Sequence, residues 1–390
     1  MCVRRHTHSH FAATIGLATV ALLNVTCSDP TGPSKTIIIP PPAVACPVAP
    51  LPVTTTNGRS ALVAYGSATV TGGTAPVSVT CTPPSGSTFN IGSTVVTCTA
   101  TDAVGRTASC SFTASVVLPA PRLGVTRILA FGDSITMGEV PLPGGFPAAI
   151  AFRVRPRNVE PDRSYPADLT TLLAQRYTAQ GASRVDAFTV NLSDDSHLDC
   201  NPNPAPTTSG IVVVNAGCLG AAAYDSKVLD RLKNKIAAYQ PDVLLLLIGV
   251  NDLNATSPDT SIIAGVQGVQ TLIAYARSKS IQVMVGTLLP EIAGDYRAGA
   301  VNLIVPFNSQ LVPVATNAGA RVVDLYSDIV MDVTDWIADD GLHPTEAGYQ
   351  EMARVWFNNI QGAFDLPLSS TLPTRIGVRP NPIVGRASRR

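Results

Sequence analysis

Val125-Thr126-Arg127-Ile128-Leu129-Ala130-Phe131 is an apolar stretch that runs directly into Gly132-Asp133-Ser134-Ile135-Thr136-Met137-Gly138. The first seven residues read as a buried strand. A serine just past such a strand, flanked by glycines, can present its hydroxyl and backbone N–H at the carboxyl edge of a sheet, where ligands of open α/β folds bind. Three further stretches extend the pattern. Ile211-Val212-Val213-Val214 is a second buried strand, ending in Asn215-Ala216-Gly217-Cys218-Leu219-Gly220, a loop able to aim backbone N–H groups at an anion. Val243-Leu244-Leu245-Leu246-Leu247-Ile248 is a third, ending in Gly249-Val250-Asn251-Asp252. Asp340-Gly341-Leu342-His343-Pro344 precedes a helix predicted to run through about Phe364, with Pro344 expected at its first position. Asp340 and His343, three residues apart on that turn, can face each other, so that the carboxylate orients the imidazole. Of the five histidines, His6, His8 and His10 lie in the N-terminal segment, which leaves His197 and His343; only His343 has a carboxylate at fixed spacing.

These four blocks, in this order across residues 125–365, resemble the SGNH or GDSL hydrolase family. The resemblance implies a flavodoxin-like three-layer α/β/α sandwich and a serine hydrolase acting on ester bonds without a cofactor or metal. Matched residue by residue, it implies Ser134 as nucleophile, His343 as general base, Asp340 as its orienting partner, and an oxyanion hole built from Ser134, Gly220 and Asn251. His343-Pro344-Thr345-Glu346-Ala347-Gly348-Tyr349 is close to the family's usual wording, whereas Cys218 is a local departure. No G-x-S-x-G elbow occurs, which argues against the α/β-hydrolase fold. Val228, Leu232 and Ile236, and again Met352, Trp356 and Ile360, recur at four-residue spacing and predict helices covering the sheet. Ile281–Val285 and Arg321–Leu325 read as further strands.

Upstream, residues 44–117 are rich in Thr, Val, Ser and Gly in short alternating runs, the pattern of half-buried strands. Val96–Thr101 and Thr107–Phe112 flank the five-residue Asp102–Arg106 and predict a hairpin in a small antiparallel sandwich. The blocks around Cys81, Cys98 and Cys110 resemble the hyalin-repeat (HYR) family of immunoglobulin-like modules. That resemblance implies adhesion or spacing, with cell envelope or glycan as the partner class.

The outer segments carry an address. Arg4 and Arg5 precede the 13-residue apolar stretch Phe11–Leu23, the pattern of a secretory signal over residues 1–27. Leu23-Asn24-Val25-Thr26-Cys27 resembles a lipobox, with Cys27 the candidate for lipidation and simple secretion the rival; a lipid on Cys27 is the one expected membrane contact. Residues 28–43 are a proline-rich tether, 118–124 a linker, and 366–390 a basic tail. Cys46, Cys81, Cys98, Cys110, Cys200 and Cys218 form an even remainder suited to disulfides in an exported chain. Cys200 with Cys218 is expected to staple the long stretch Asn191–Gly210 to the oxyanion loop; the other four permit three pairings.

The formal net charge is 0, which gives no reason to expect nucleic acid as a partner. Asp194, Asp195, His197 and Asp199 cluster, but an acidic solvated loop explains them and no metal is expected. Charged residues are 14% of the chain against roughly 25% on average. The sparsity is greatest over residues 1–122, with 6 basic and 2 acidic groups; residues 123–365 carry 16 and 25. The leading expectation is an exported esterase acting on a small-molecule or carbohydrate ester. An adhesion protein with a degenerate hydrolase domain, and an acyltransferase using the same triad, are the alternatives.

Overall fold

The fold is that of a computed structural model, which describes residues 38–140, 159–189, 199–206, 210–293 and 300–366, and the backbone alone of Cys2–Arg4, Leu23–Cys27, residues 35–37 and Asn158. The side chain of Cys27, the residues Asp194, Asp195 and His197, and the basic tail beyond Leu366 lie outside the described residues. Two compact units divide the chain, Met1–Pro119 and Ala120–Arg390. Among the described residues no helix is long and apolar enough to cross a membrane.

In the first unit the strands from Ala43 onward are β1 (Ala43–Ala45), β2 (Val53–Thr54), β3 (Ser60–Val63), β4 (Thr69–Thr71), β5 (Ser78–Thr82), β6 (Ser87–Asn90), β7 (Gly92–Thr101) and β8 (Thr107–Val117). The principal sheet runs β2-β8-β7-β5, and β1 pairs with β4 and β3 with β6. The expected hairpin is β7–β8, closed at Thr101 opposite Thr107. One pairing departs from the antiparallel expectation: β2 lies parallel to the end of β8. Period-2 alternation buries Val96, Cys98 and Ala100 on one face of β7, while Thr97 and Thr99 meet the hydroxyls of Ser111 and Ser109 on the other. Cys46–Cys110 and Cys81–Cys98 are the disulfides among the described residues of this unit.

Asp102, only 5% exposed, organises the β7–β8 loop. Its carboxylate accepts the backbone N–H groups of Thr74, Val104 and Arg106 and the Arg106 guanidinium. Burial by itself would raise this carboxyl, but those hydrogen bonds outweigh it and hold the group at about 2.

The second unit is built on six parallel strands: β9 (Arg127–Gly132), β12 (Ala182–Asp186), β13 (Ile211–Ala216), β14 (Val243–Leu247), β15 (Gln282–Gly286) and β16 (Arg321–Val323), in the order β12-β13-β9-β14-β15-β16. Without the edge strand β12, which alternation did not reveal, this is the flavodoxin-like order 2-1-3-4-5. Short strands β10 (Glu139–Val140) and β11 (Asn158–Val159) pair antiparallel with each other. The principal helices are α1 (Ser134–Met137), α2 (Tyr165–Arg176), α3 (Ser226–Tyr239), α4 (Pro258–Ser278), α5 (Ile304–Asn317), α6 (Leu325–Ile329), α7 (Val333–Trp336) and α8 (Glu346–Phe364). α2 packs on α8, where Tyr165 stacks on Trp356 at 6.1 Å, and α4 packs on α3 and α5, giving helical layers around the sheet. The two predicted four-residue rows, Val228/Leu232/Ile236 and Met352/Trp356/Ile360, are buried. Pro344 is not the first helical residue. Thr345 is the N-cap of α8, its hydroxyl accepting from the Gly348 N–H, and Pro344 pairs with Ile337 one step earlier. A threonine oxygen satisfies an orphan helix donor, which proline cannot do, so the cap fell to the neighbouring residue.

Two outcomes follow. Because the folded pKa of Asp102 lies below its unfolded value, its contribution is present above about 4 and is lost as the pH falls towards about 2. Hydrogen-exchange mass spectrometry of the full chain should therefore show protected amides at Thr74, Val104 and Arg106 at neutral pH, losing protection over that interval and in Asp102→Ala. In the second unit Cys200 and Cys218 are joined across a sequence separation of 18. Replacing both by serine should destabilise that unit by about 3 kcal/mol in a urea titration, from the loop-closure entropy restored to the unfolded chain.

Candidate active site

Parallel pairing on both sides of β9 places Phe131 level with Ala216 of β13 and Leu246 of β14. The loops that follow the three strands therefore emerge side by side at the carboxyl edge of the sheet, at the point where strand order reverses. Their approach is so close that side chains are excluded at two positions. A Cβ on Gly132 would stand 2.1 Å from the Thr136 hydroxyl and 2.2 Å from the Leu247 carbonyl, and one on Gly217 would stand 2.1 Å from the Met137 nitrogen.

Ser134 opens α1, whose N-cap is Asp133; the Asp133 carboxylate accepts the Ile135 N–H at 3.0 Å. The Ser134 Oγ lies 2.9 Å from His343 Nε2, across 209 residues of sequence. His343 Nδ1 lies 2.6 Å from Asp340 Oδ2, and Asp340 Oδ1 accepts the backbone N–H groups of Leu342 and His343. Burial would raise the Asp340 carboxyl, but the imidazole and these two amides hold it below the usual carboxylate range. Ser134 and His343 are buried.

Gly220 and Asn251 stand on the two adjoining loops. Gly220 is exposed, with φ +66°. Asn251 Nδ2 donates one hydrogen to the Ala221 carbonyl at 3.1 Å, and its second N–H is the one an oxyanion can use. The Asp252 carboxylate, buried next to it, accepts the backbone N–H groups of Ala223 at 2.7 Å and Tyr224 at 2.9 Å, which locks the two loops together. Cys218 within the first of these loops is bonded to Cys200, and Lys235 secures the same flank: its buried ammonium donates to the carbonyls of Ala187 and Pro202 and to the Asn203 amide oxygen.

Several members of this assembly carried no sequence signal beyond their place. Arg231 on α3 donates to the carbonyls of Gly132 at 2.9 Å and Ala216 at 2.6 Å, capping the ends of β9 and β13, and its guanidinium lies 4.0 Å over the Phe131 ring. Burial lowers Arg231 to about 10 against the attraction of Asp133, leaving it charged at neutral pH. Asp133 is pushed up to about 7, chiefly by burial. Glu139, five residues after Ser134, puts Oε2 within 3.3 Å of His343 Nε2. Burial would lower the His343 imidazole, but Asp340 and then Glu139 outweigh it and hold it at about 9. Tyr349, fully buried on α8, donates its hydroxyl to the Glu139 carbonyl at 2.8 Å. Asp199 pairs through its backbone with Thr189.

With this geometry in hand, comparison with known proteins gives two family matches. Residues 202–351 match the GDSL-like lipase/acylhydrolase family, and residues 39–116 match the HYR domain. The first match includes Gly220, Asn251, Asp340 and His343 but begins after Ser134, which is tied to them by the 2.9 Å approach to His343. A multidomain esterase of Ruminococcus flavefaciens is 26% identical over 289 residues, 70% of this chain and 34% of that protein; the chain thus spans about a third of that relative's length. Among solved structures, an acetylxylan esterase of Geobacillus stearothermophilus aligns at 19% identity and TM-score 0.40, over 60% of this chain and 94% of the other. The M. smegmatis aryl esterase aligns at 17% identity and TM-score 0.43, over 61% and 99%. The chain therefore carries a GDSL-like lipase/acylhydrolase domain behind an HYR domain.

Proposed function

We propose that the chain is an exported serine esterase that hydrolyses O-acyl esters through an acyl-enzyme on Ser134. The observation that carries this reading is the continuous line Ser134 Oγ, His343 Nε2, His343 Nδ1, Asp340 Oδ2, with steps of 2.9 and 2.6 Å. A serine hydroxyl is a weak nucleophile at neutral pH, so it needs a neutral imidazole to take its proton as it attacks an acyl carbonyl. Asp340 fixes the Nδ1–H tautomer and stabilises the imidazolium that forms. The Ser134 N–H, the Gly220 N–H and the second Asn251 amide hydrogen are the donors for the tetrahedral oxyanion. The imidazolium then gives its proton to the departing alcohol. Water, deprotonated by the same imidazole, attacks the acyl-serine and releases the acid.

Export is supported by the three disulfides, which form and persist in oxidising compartments, and by the HYR domain. The Ruminococcus relative is a multidomain esterase, in agreement with this chemistry. Small acyl groups on carbohydrate hydroxyls are the substrate class we put first, with the HYR domain as a glycan or envelope contact and Cys27 as the lipid anchor.

A panel of esters, from p-nitrophenyl acetate to long acyl chains and acetylated glycans, tests the assignment. Ser134→Ala should abolish turnover while leaving the circular dichroism spectrum unchanged, and retained activity would refute it. Asn251→Ala should lower kcat by about 10²- to 10³-fold with a much smaller change in KM, the behaviour of an oxyanion donor.

A further inference from the structure

The imidazole of His343 has two neighbours at one nitrogen. Nε2 stands 2.9 Å from the Ser134 hydroxyl and 3.3 Å from Glu139 Oε2, while Nδ1 is committed to Asp340 at 2.6 Å. The two neighbours need opposite states of that nitrogen. With Nδ1 protonated towards Asp340, a neutral ring presents a lone pair at Nε2, which can accept the serine O–H but repels a carboxylate. A protonated Nε2 attracts the carboxylate, and in that state it cannot take the serine proton.

Glu139 is held in this place by its backbone. Gly138 before it adopts φ +101°, and a Cβ there would meet the Glu160 carbonyl at 2.9 Å, so the chain turns sharply out of α1. Glu139 then pairs with Val159 of β11, and the buried Tyr349 hydroxyl donates to its carbonyl. Its side chain is 15% exposed, so water screens the pair only in part.

The remaining groups around the ring reinforce one sign. Asp340 faces it from its own turn, Asp133 acts on it from the start of α1, and Tyr349 brings a neutral phenol from α8. Tyr165 on α2 is another buried phenol, bonded to Thr136. Arg231 spends its guanidinium on the carbonyls of Gly132 and Ala216, and Asp252 its carboxylate on Ala223 and Tyr224.

We propose that Glu139 is a positioning residue that holds His343 as the imidazolium in the resting site, keeping the general base latent until the Nε2 proton passes to water. The step is a simple proton transfer: imidazolium and water become imidazole and hydronium, and only then can Ser134 Oγ give up its hydrogen. The inference rests on the esterase reading for its kinetic consequence, but not for its structural one. Since the folded pKa of His343 is raised, to about 9, the charged form dominates below it and the competent neutral form accumulates as the pH rises through it.

The test has two arms on the full chain. NMR titration of labelled histidines, with His343 assigned by its loss in His343→Asn, reads the imidazole without any substrate. In the wild type it should titrate well above the ordinary 6.5, and in Glu139→Gln its midpoint should fall by at least one pH unit. In parallel, kcat/KM for p-nitrophenyl acetate should climb about tenfold per pH unit up to about 9 in the wild type. The limb should move down in Glu139→Gln, raising kcat/KM at pH 7 by about tenfold or more. A wild-type His343 that titrates near 6.5 overturns the proposal, as does a midpoint unmoved in Glu139→Gln and Glu139→Ala. If no ester is turned over at all, the NMR arm still decides, and the esterase reading alone fails. If the variants do not fold, the wild-type titration decides.

Discussion

Everything at the site depends on one strand being paired in parallel on both sides. β9 hydrogen-bonds to β13 and to β14 with Phe131 level with Ala216 and Leu246, so three loops far apart in sequence emerge together at one edge. That constraint brings the loops that carry Ser134, Gly220 and Asn251 to one edge of the sheet. It also explains the glycines. Gly132 and Gly217 sit where two loops cross at backbone distance, and any Cβ there would overlap a neighbouring hydroxyl, carbonyl or amide. The edge is then closed by Arg231, which donates to the last carbonyls of β9 and β13, the Gly132 carbonyl also accepting the Cys218 N–H.

The electrostatics follow from what this packing buries. Asp133, Asp252, Asp340 and Glu139 lie around one imidazole and one guanidinium, and each carboxylate answers to a different partner. Asp133 caps a helix, Asp252 ties two loops, Asp340 orients the ring, and Glu139 meets its far nitrogen. Burial works against the charges of Asp133 and Asp340 alike, yet hydrogen bonds reverse its sign for Asp340 and not for Asp133. The difference is donor number together with depth of burial: two backbone amides and an imidazole serve the partly exposed Asp340, whereas a single backbone amide serves the fully buried Asp133. The flank near Cys218 is strengthened by other means, a disulfide to Cys200 and a buried ammonium at Lys235.

Much of this was legible in the sequence, and for definite reasons. Buried parallel strands are continuous apolar runs, so β9, β13 and β14 stand out, and the residues just after them are where ligands meet this kind of sheet. The Asp340–His343 spacing is local, and local geometry survives folding. Residues whose role depends on tertiary approach left no such trace. Glu139 is an ordinary acidic residue until Gly138 and Tyr349 turn it towards His343, and Arg231 looks like one more surface charge on an amphipathic helix. β12 escaped notice because Ala182–Asp186 mixes Ser, Arg and Asp on an edge where no strict alternation is required. The Pro344 reading failed through a rule that is true on average but gave way to the better cap one residue on, Thr345.

The proposed chemistry requires Ser134, His343 and Asp340 to act as one nucleophilic unit. It is tested most directly by covalent labelling with a fluorophosphonate, followed by peptide mass mapping of the unreduced chain. The account predicts a single phosphonyl adduct on Ser134, formed rapidly in the wild type and lost in His343→Gln. An adduct on another serine, or equal labelling of Ser134 with and without His343, would contradict it.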